Sequence, residues 1–382
     1  MRHVAELWAV CCGLQNRKPP EVETMEKEKE VILRSFREYY RNTDIDVPWV
    51  ERREFGVGGF RKKIESRHMG FGSNQALNNY LEQEVPLFIS HSVAYYKFPE
   101  STPMERKEWM GGDLIFDLDV HGGLFLSNEE IEGVKNDAIA LQEEFLEKDF
   151  GVSRKDMLLV FSGSRGFHIH ANAKKFMDMG GKERREIADY VAGAGLDYRK
   201  FFSKIDRYRL GGPKKRDWGY KGRLCRIVEK VVEEEPSLIH RGLKKEEEKA
   251  KLLSCMEDGN WSKTPIKDIV ERIGRVAGRM KLKTVDVDTG VTIDTKRLIR
   301  VPNTIHGSTG LAAKKLENPE KFHPYHDALA FPKGELEIIA AQDLPDQEFA
   351  GETMEKMKKG EKGNVPKSYG IYLILKEAAT LS

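Results

Sequence analysis

The sequence predicts a fold of the α/β class, mixed α+β in character, with sheets flanked by helices. Three patterns predict it. Residues 25–41 bring Val31, Ile32, Phe36 and Tyr40 to one side of a helix. Residues 113–120 alternate as a strand does: Asp113, Ile115, Asp117 and Asp119 share one face, and Leu114, Phe116, Leu118 and Val120 share the other. Residues 157–171 read as strand, tight turn and returning strand.

The remaining elements follow in order. After the first helix come Arg52-Arg53-Glu54-Phe55, a glycine-rich turn over 56–59 and a basic stretch over 60–67. Residues 85–98 are aromatic and β-prone, and end at Pro99. Ser127 with Glu130 has the form of a capping box and opens a helix predicted to reach about Lys148. Met157–Phe161 is the next strand, 162–166 the turn and Phe167–Ala171 its return. Residues 182–204 read as helical. From 206 to 283 the composition becomes charged and mainly helical, with glycine-rich breaks. Strand-like sequence resumes at 285, near 329–331 and at 337–340, before a Lys/Gly-rich loop (358–363) and a last apolar segment, Tyr369–Lys376.

The expected organisation is a loose extension over 1–24, with Met25 an alternative start, a core in two parts (25–205 and 285–382), and an inserted, mainly helical subdomain over 206–284. A chain of 382 residues buries a substantial core. Acids nearly balance bases at a net charge of +2, so contact with a polyanion has to come from local patches. A mean hydropathy of −0.57 and the lack of a long apolar run argue against a membrane span. Cys11, Cys12, Cys225 and Cys255 form neither a disulfide framework nor a C-x-x-C pair, which fits a reducing cytosol.

Three segments carry chemistry. Asp117-x-Asp119 puts two carboxylates on one strand face, roughly 7 Å apart by the usual rise. Two such acids repel unless a cation lies between them, and oxygen-only ligands suit Mg²⁺ or Mn²⁺. An exposed face with scattered acids is the plainer reading, but the apolar opposite face marks a strand of a buried sheet. Ser162-Gly163-Ser164-Arg165-Gly166 offers hydroxyls, a guanidinium fork and backbone N–H groups that can cradle phosphate. His168 and His170 follow on one face; no Cys or third His stands at a zinc-ligand spacing. The third segment joins Asp286 and Asp288 to Arg297, Arg300 and His306, with Asp294 a rival acid. Basic patches over 61–67 (Arg61, Lys62, Lys63, Arg67) and over 206–223, the latter interleaved with Tyr208, Trp218 and Tyr220, suit a single-stranded nucleic acid.

In this order the segments resemble the small catalytic subunit of archaeal and eukaryotic DNA primase, the archaeal branch more closely. The acidic pair, the Ser-Gly-x-Arg-Gly-x-His block and Arg297-Leu298-Ile299-Arg300-Val301-Pro302-Asn303-Thr304-Ile305-His306-Gly307-Ser308-Thr309-Gly310-Leu311 carry the resemblance, and Arg52–Phe55 looks like the family's N-terminal block. The resemblance implies a primase–polymerase catalytic core. It implies Asp117, Asp119 and Asp288 as catalytic, metal-binding acids, Asp288 being picked by its eighteen-residue spacing to His306. Ser162, Arg165, His168, Arg300 and His306 would bind the incoming nucleotide, with weaker template or phosphate contacts from Arg67, Lys62 and Lys63.

The expected activity is template-directed synthesis of short RNA primers, DNA primers also being admitted, on single-stranded DNA from NTPs or dNTPs. The expected partner is a primase large subunit in a heterodimer, and the expected location is the cytoplasm, at the nucleoid. A stand-alone primase–polymerase of repair or mobile-element type, a non-catalytic nucleic-acid-binding paralogue and a phosphodiesterase are the alternatives. Two departures stand out. Residues 120–160 lack the cysteines of the family's zinc knuckle, so structural zinc is not expected. Ser308 stands where relatives often have Lys, and Lys314 or Lys315 are its candidate substitutes.

Overall fold

The computed structural model describes residues 20–279 and 284–382. The expected extension over 1–24 therefore lies mostly outside the described residues, as do Cys11 and Cys12. Cys225 and Cys255 are buried free thiols.

The chain opens with helix α1 (Pro20–Arg41), which buries Ile32, Phe36 and Tyr40. Strands β1 (Phe55–Gly58) and β2 (Ser66–Met69) enclose the basic stretch. Helix α2 (Asn74–Glu84), capped by Ser73, leads to β3 (Phe88–Ser92), β4 (Ala94–Tyr96), β5 (Trp109–Gly112) and β6 (Leu114–Asp119). The capping box forms as expected: Ser127 Oγ accepts from the Glu130 amide at 3.2 Å, and Glu130 accepts from the Ser127 amide at 2.8 Å. It starts α3 (Asn128–Ala140), which continues as a wider π-helical segment to Asp149. The hairpin follows as β7 (Met157–Phe161) and β8 (Gly166–Ala171).

Helix α4 (Gly181–Ala192) is shorter than the reading to 204. Gly193 and Gly195 take positive φ and end it, and β9 (Ser203–Lys204) and β10 (Leu210–Gly211) form a small hairpin. Helices α5 (Gly219–Glu234), α6 (Glu246–Asp258) and α7 (Ile269–Arg279) come next. Arg223 of α5 pairs with Asp149 and lies over the Phe145 ring, which fixes α5 to the end of the α3 segment.

No strand forms at 285. The Val-Asp-Val-Asp segment is extended, but it places single hydrogen bonds, Val285 N to Val191 O at 3.2 Å and Asp288 N to Asp117 O at 2.9 Å, before turning into α8 (Thr289–Ile293). Strand β11 (Leu298–Arg300) follows. Residues 329–331 contribute only an isolated bridge, Leu311 to Leu329. The chain ends with β12 (Glu335–Ala340), β13 (Gln347–Phe349), β14 (Glu352–Met354), β15 (Lys362–Pro366), α9 (Lys367–Leu375) and β16 (Ala379–Leu381).

Two antiparallel sheets frame the centre. One has the order β11-β3-β1-β2 and the other β6-β8-β7. They meet through Val93, Ile115, Val291 and Ile299, and through His91 and His170, whose rings lie 6.0 Å apart. At the start of β6, Asp113 is buried and accepts from Arg53 Nη2 and Tyr95 Oη, each at 2.6 Å. Arg53 also donates to the Ser92 and Pro48 carbonyls, so this charge pair is fully hydrogen-bonded. The cross-link ties the segment before β1 to β6 and directs Asp113 into the core.

Candidate active site

A cleft of about 460 Å³ opens where β6, β8 and β11 converge. Asp117 and Asp119 come from the end of β6. Across the ladder Asp117 faces His168 and Asp119 faces Gly166. A side chain at Gly166 would begin 2.0 Å from the Leu118 carbonyl and 2.1 Å from Asp119 Oδ1, so only glycine lets β8 run this close to the acidic pair.

The two carboxyls differ in their surroundings. Burial of Asp117 would raise its pKa, but the adjacent His168 and the charge of Arg297 outweigh burial and hold it below the usual carboxylate value. Asp119 is pushed upward, first by partial desolvation and then by the charge of Asp117, against the pull of His168, Arg165 and Lys63. His168 Nε2 stands 3.3 Å from Asp117 Oδ1 without the alignment of a hydrogen bond, so that enclosed oxygen has no donor.

The opposite wall is cationic. Lys63, Arg67, Arg165, Lys296, Arg297 and Arg300 line the cleft. Arg67 is held by buried Glu54 at 2.7 Å and by the Lys296 carbonyl at 3.0 Å. Lys62 does not line the cleft; its amide bonds Glu65. Arg300 leans over the Phe88 ring, and burial lowers its pKa to about 10, which still leaves it charged at neutral pH.

The Ser162–Gly166 turn is built around one hydroxyl. Ser162 Oγ accepts from the Ser164 and Gly166 amides at 3.3 and 3.2 Å, leaving its O–H to donate. Gly163 takes a φ of +81°, where a Cβ would meet His306 at 2.8 Å. Thr309 Oγ1 donates to the Gly163 carbonyl at 2.5 Å and joins this turn to the 306–311 turn. His306 is buried, and burial followed by the charge of Arg300 drives its pKa well below the usual value. Its Nδ1 accepts from the Ser308 amide at 3.2 Å, so the neutral ring carries its proton on Nε2.

The cleft thus brings together Asp117, Asp119, Ser162, Arg165, His168, Arg300, His306, Arg67 and Lys63. Asp288 is adjacent by its backbone, through its bond to the Asp117 carbonyl, while its exposed carboxylate accepts from the Val291 amide at 3.2 Å and caps α8. The carboxylate lining the cleft from that segment is Asp294, six residues on. Arg297 of the third segment also lines it, as do Lys296 and Ser90, which the sequence reading leaves out; the basic run over 296–300 is the signal for Lys296. Lys314 and Lys315 are not among the lining residues.

Among the described residues no three His, Cys, Asp or Glu side chains are gathered as a metal ligand set. The Asp117–Asp119 pair nevertheless fits a hard divalent cation. Its donors are all oxygens, one enclosed oxygen has no hydrogen-bond donor among the described residues, and the Asp117 charge that adds to burial in raising Asp119 is what a cation between them would offset.

A family model described as DNA primase small subunit matches residues 116–317, from within β6 to beyond the 306–311 turn. The DNA primase small subunit PriS of Methanothrix thermoacetophila is 33% identical, over 92% of this chain and 98% of the relative. The PriS of Thermoplasma volcanium is 34% identical, over 82% and 85%. That of Methanococcoides burtonii is 30% identical, over 92% and 98%.

Proposed function

The chain belongs to the DNA primase small subunit family, and from that premise we propose that this cleft performs template-directed nucleotidyl transfer, making short primers on single-stranded DNA from NTPs, with dNTPs also accepted. The observation that carries the reading is one strand end presenting two carboxylates to a wall of cations that, apart from Arg67, form no ion pair among the described residues.

Asp117 and Asp119 would hold Mg²⁺ or Mn²⁺, with Asp288 the third acid and Asp294 its rival. Such ions, when bound, lower the pKa of an attacking hydroxyl and offset charge on a leaving pyrophosphate. The chain's own residues do the rest. Arg165 offers a planar fork to phosphate oxygens, and Arg300 adds a charge held in a low-dielectric wall. Ser162 Oγ–H and His306 Nε2–H supply neutral donors. His168 keeps Asp117 ionised, so its carboxylate is ready to ligate. Lys63 and Arg67 extend the positive surface toward a template strand, with Lys62 on the same loop.

The proposed assembly is a heterodimer with a primase large subunit, at the nucleoid in the cytoplasm; no zinc is assigned. Among the described residues no helix is long and apolar enough to cross a membrane. The test is primer synthesis on a single-stranded template, with and without the large subunit, comparing NTPs with dNTPs. Asp117→Ala and Asp119→Ala abolish incorporation in folded protein on this reading, and normal synthesis by either removes it. Asp288→Ala and Asp294→Ala, compared side by side, identify the third acid.

A further inference from the structure

A second concentration of positive charge lies outside the cleft. Between α5 and α6 the chain makes two short helical turns, Pro236–Leu238 and Arg241–Lys244, and α7 passes beside them. Together they enclose a concavity of about 390 Å³ that shares no lining residue with the cleft. Arg241 comes from the second turn. Arg272 and Arg275 come from α7, where a three-residue spacing puts both on one face. His240 and Ser237 complete the polar wall, and among the described residues no carboxylate lines it.

The partners of these side chains define what the concavity offers. Arg272 is fixed by two neutral acceptors, Nε to the Lys267 carbonyl at 3.1 Å and Nη1 to the Ile239 carbonyl at 3.2 Å, so its charge is uncompensated. The Arg241 and Arg275 side chains form no hydrogen bond or ion pair among the described residues. His240 Nδ1 accepts from the Gly242 amide at 3.0 Å, which makes Nε2 the donor of the neutral ring. The nearby helix α6 differs: there Lys249 pairs with Glu246 at 2.7 Å and Lys251 with Glu247 at 2.8 Å. Like charges around a hollow repel one another until an anion enters, and guanidinium forks match the oxygens of a phosphate group.

We infer that this concavity is a second anion site, taking phosphate groups presented by a nucleic-acid strand or by a free polyphosphate. It stands independently of the reading of the cleft, because no residue is shared. The test uses the full chain carrying Arg241→Ala with Arg275→Ala, both exposed side chains, while Arg272, which supports backbone, is retained. A control, Lys356→Ala with Lys359→Ala, removes the same charge from an exposed loop. Thermal melting verifies folding, and Arg241→Gln and Arg275→Gln singly stand in if the double variant melts early.

Binding is read by anisotropy of a labelled oligothymidine and by calorimetry with tripolyphosphate. If a strand is the ligand, oligothymidine binding weakens about tenfold and its salt slope flattens by about 1.4, the value for two lost single-strand phosphate contacts. If a free polyphosphate is the ligand, tripolyphosphate binding weakens about tenfold and oligothymidine binding holds. Either result supports the site. Wild-type binding of both probes by the arginine variant, or an equal loss in the lysine control, overturns it.

Discussion

Asp117 and His168 face each other across the β6–β8 ladder, with Nε2 of the histidine 3.3 Å from Oδ1 of the acid. The pairing makes neighbouring acids unequal. Asp117 is held ionised, while Asp119, two residues along the same strand face, is pushed toward protonation first by partial burial and then by the charge of Asp117.

Asp119→Asn therefore raises the melting temperature of the metal-free protein at neutral pH. The sign follows from the raised pKa. A carboxyl favoured in its protonated form by the fold contributes stability fully below its unfolded pKa near 3.8, and that contribution is lost as pH rises through the folded value. The gap between variant and wild type closes toward pH 4. Added Mg²⁺ or Mn²⁺ stabilises the wild type and not the variant, and primer synthesis by the variant drops at least about a hundredfold. A calorimetric scan across pH, with and without metal, checks each part.

Gly166→Ala separates close approach from flexibility. Its methyl group has to displace the Leu118 carbonyl or Asp119, so stability falls by about 1–3 kcal/mol and synthesis falls with it. Gly133→Ala, in the exposed middle of α3 with nothing near the added methyl, instead gains up to about 1 kcal/mol and leaves activity alone. Urea denaturation with a parallel activity assay distinguishes the two.

Asp113 shares the face of the two cleft acids but serves the core. Asp113→Asn leaves Arg53 charged and poorly paired where its side chain is 2% exposed, and costs about 3–5 kcal/mol in urea denaturation. Nucleotide affinity per folded molecule stays near the wild-type value, a result opposite to that expected for Asp117→Asn.

His91, His170 and His306 are all buried with pKa values driven down, first by burial; that of His91 falls to about 3. A base whose folded pKa lies below its unfolded value costs stability as pH drops below about 6.5, because only the unfolded chain takes up the proton. Each such histidine adds up to about 1.4 kcal/mol per pH unit to that loss. The urea midpoint accordingly falls between pH 6.5 and 5, and His91→Asn flattens the fall.

What was legible in the sequence was local. The alternation over 113–120, the Ser127–Glu130 box and the strand-turn-strand over 157–171 each carry their own periodicity or cap, and each forms as read. The misread elements borrowed a pattern. Val285-Asp286-Val287-Asp288 alternates like a strand, but the chain turns helical at Thr289 before a ladder can form. Helix α4 stops at Ala192 because Gly193 takes the left-handed conformation, a stop signal present in the sequence and passed over. Which carboxylate of the 286–294 segment reaches the cleft depends on the direction of a five-residue helix packed on β6, and the anchoring of Arg67 by Glu54 depends on a strand crossing. Residue spacing encodes neither.

The bond between Thr309 and Gly163 joins turns 146 positions apart, one carrying the Ser162 hydroxyl and the other His306. Synthesis runs from the N-terminus, so a growing chain finishes the acidic strand and its hairpin long before this clasp can close. Until residues 296–309 leave the ribosome, the acids exist without Lys296, Arg297, Arg300 and His306, the late-made part of the cleft lining. Assembly order thus leaves the cleft incomplete until late in synthesis.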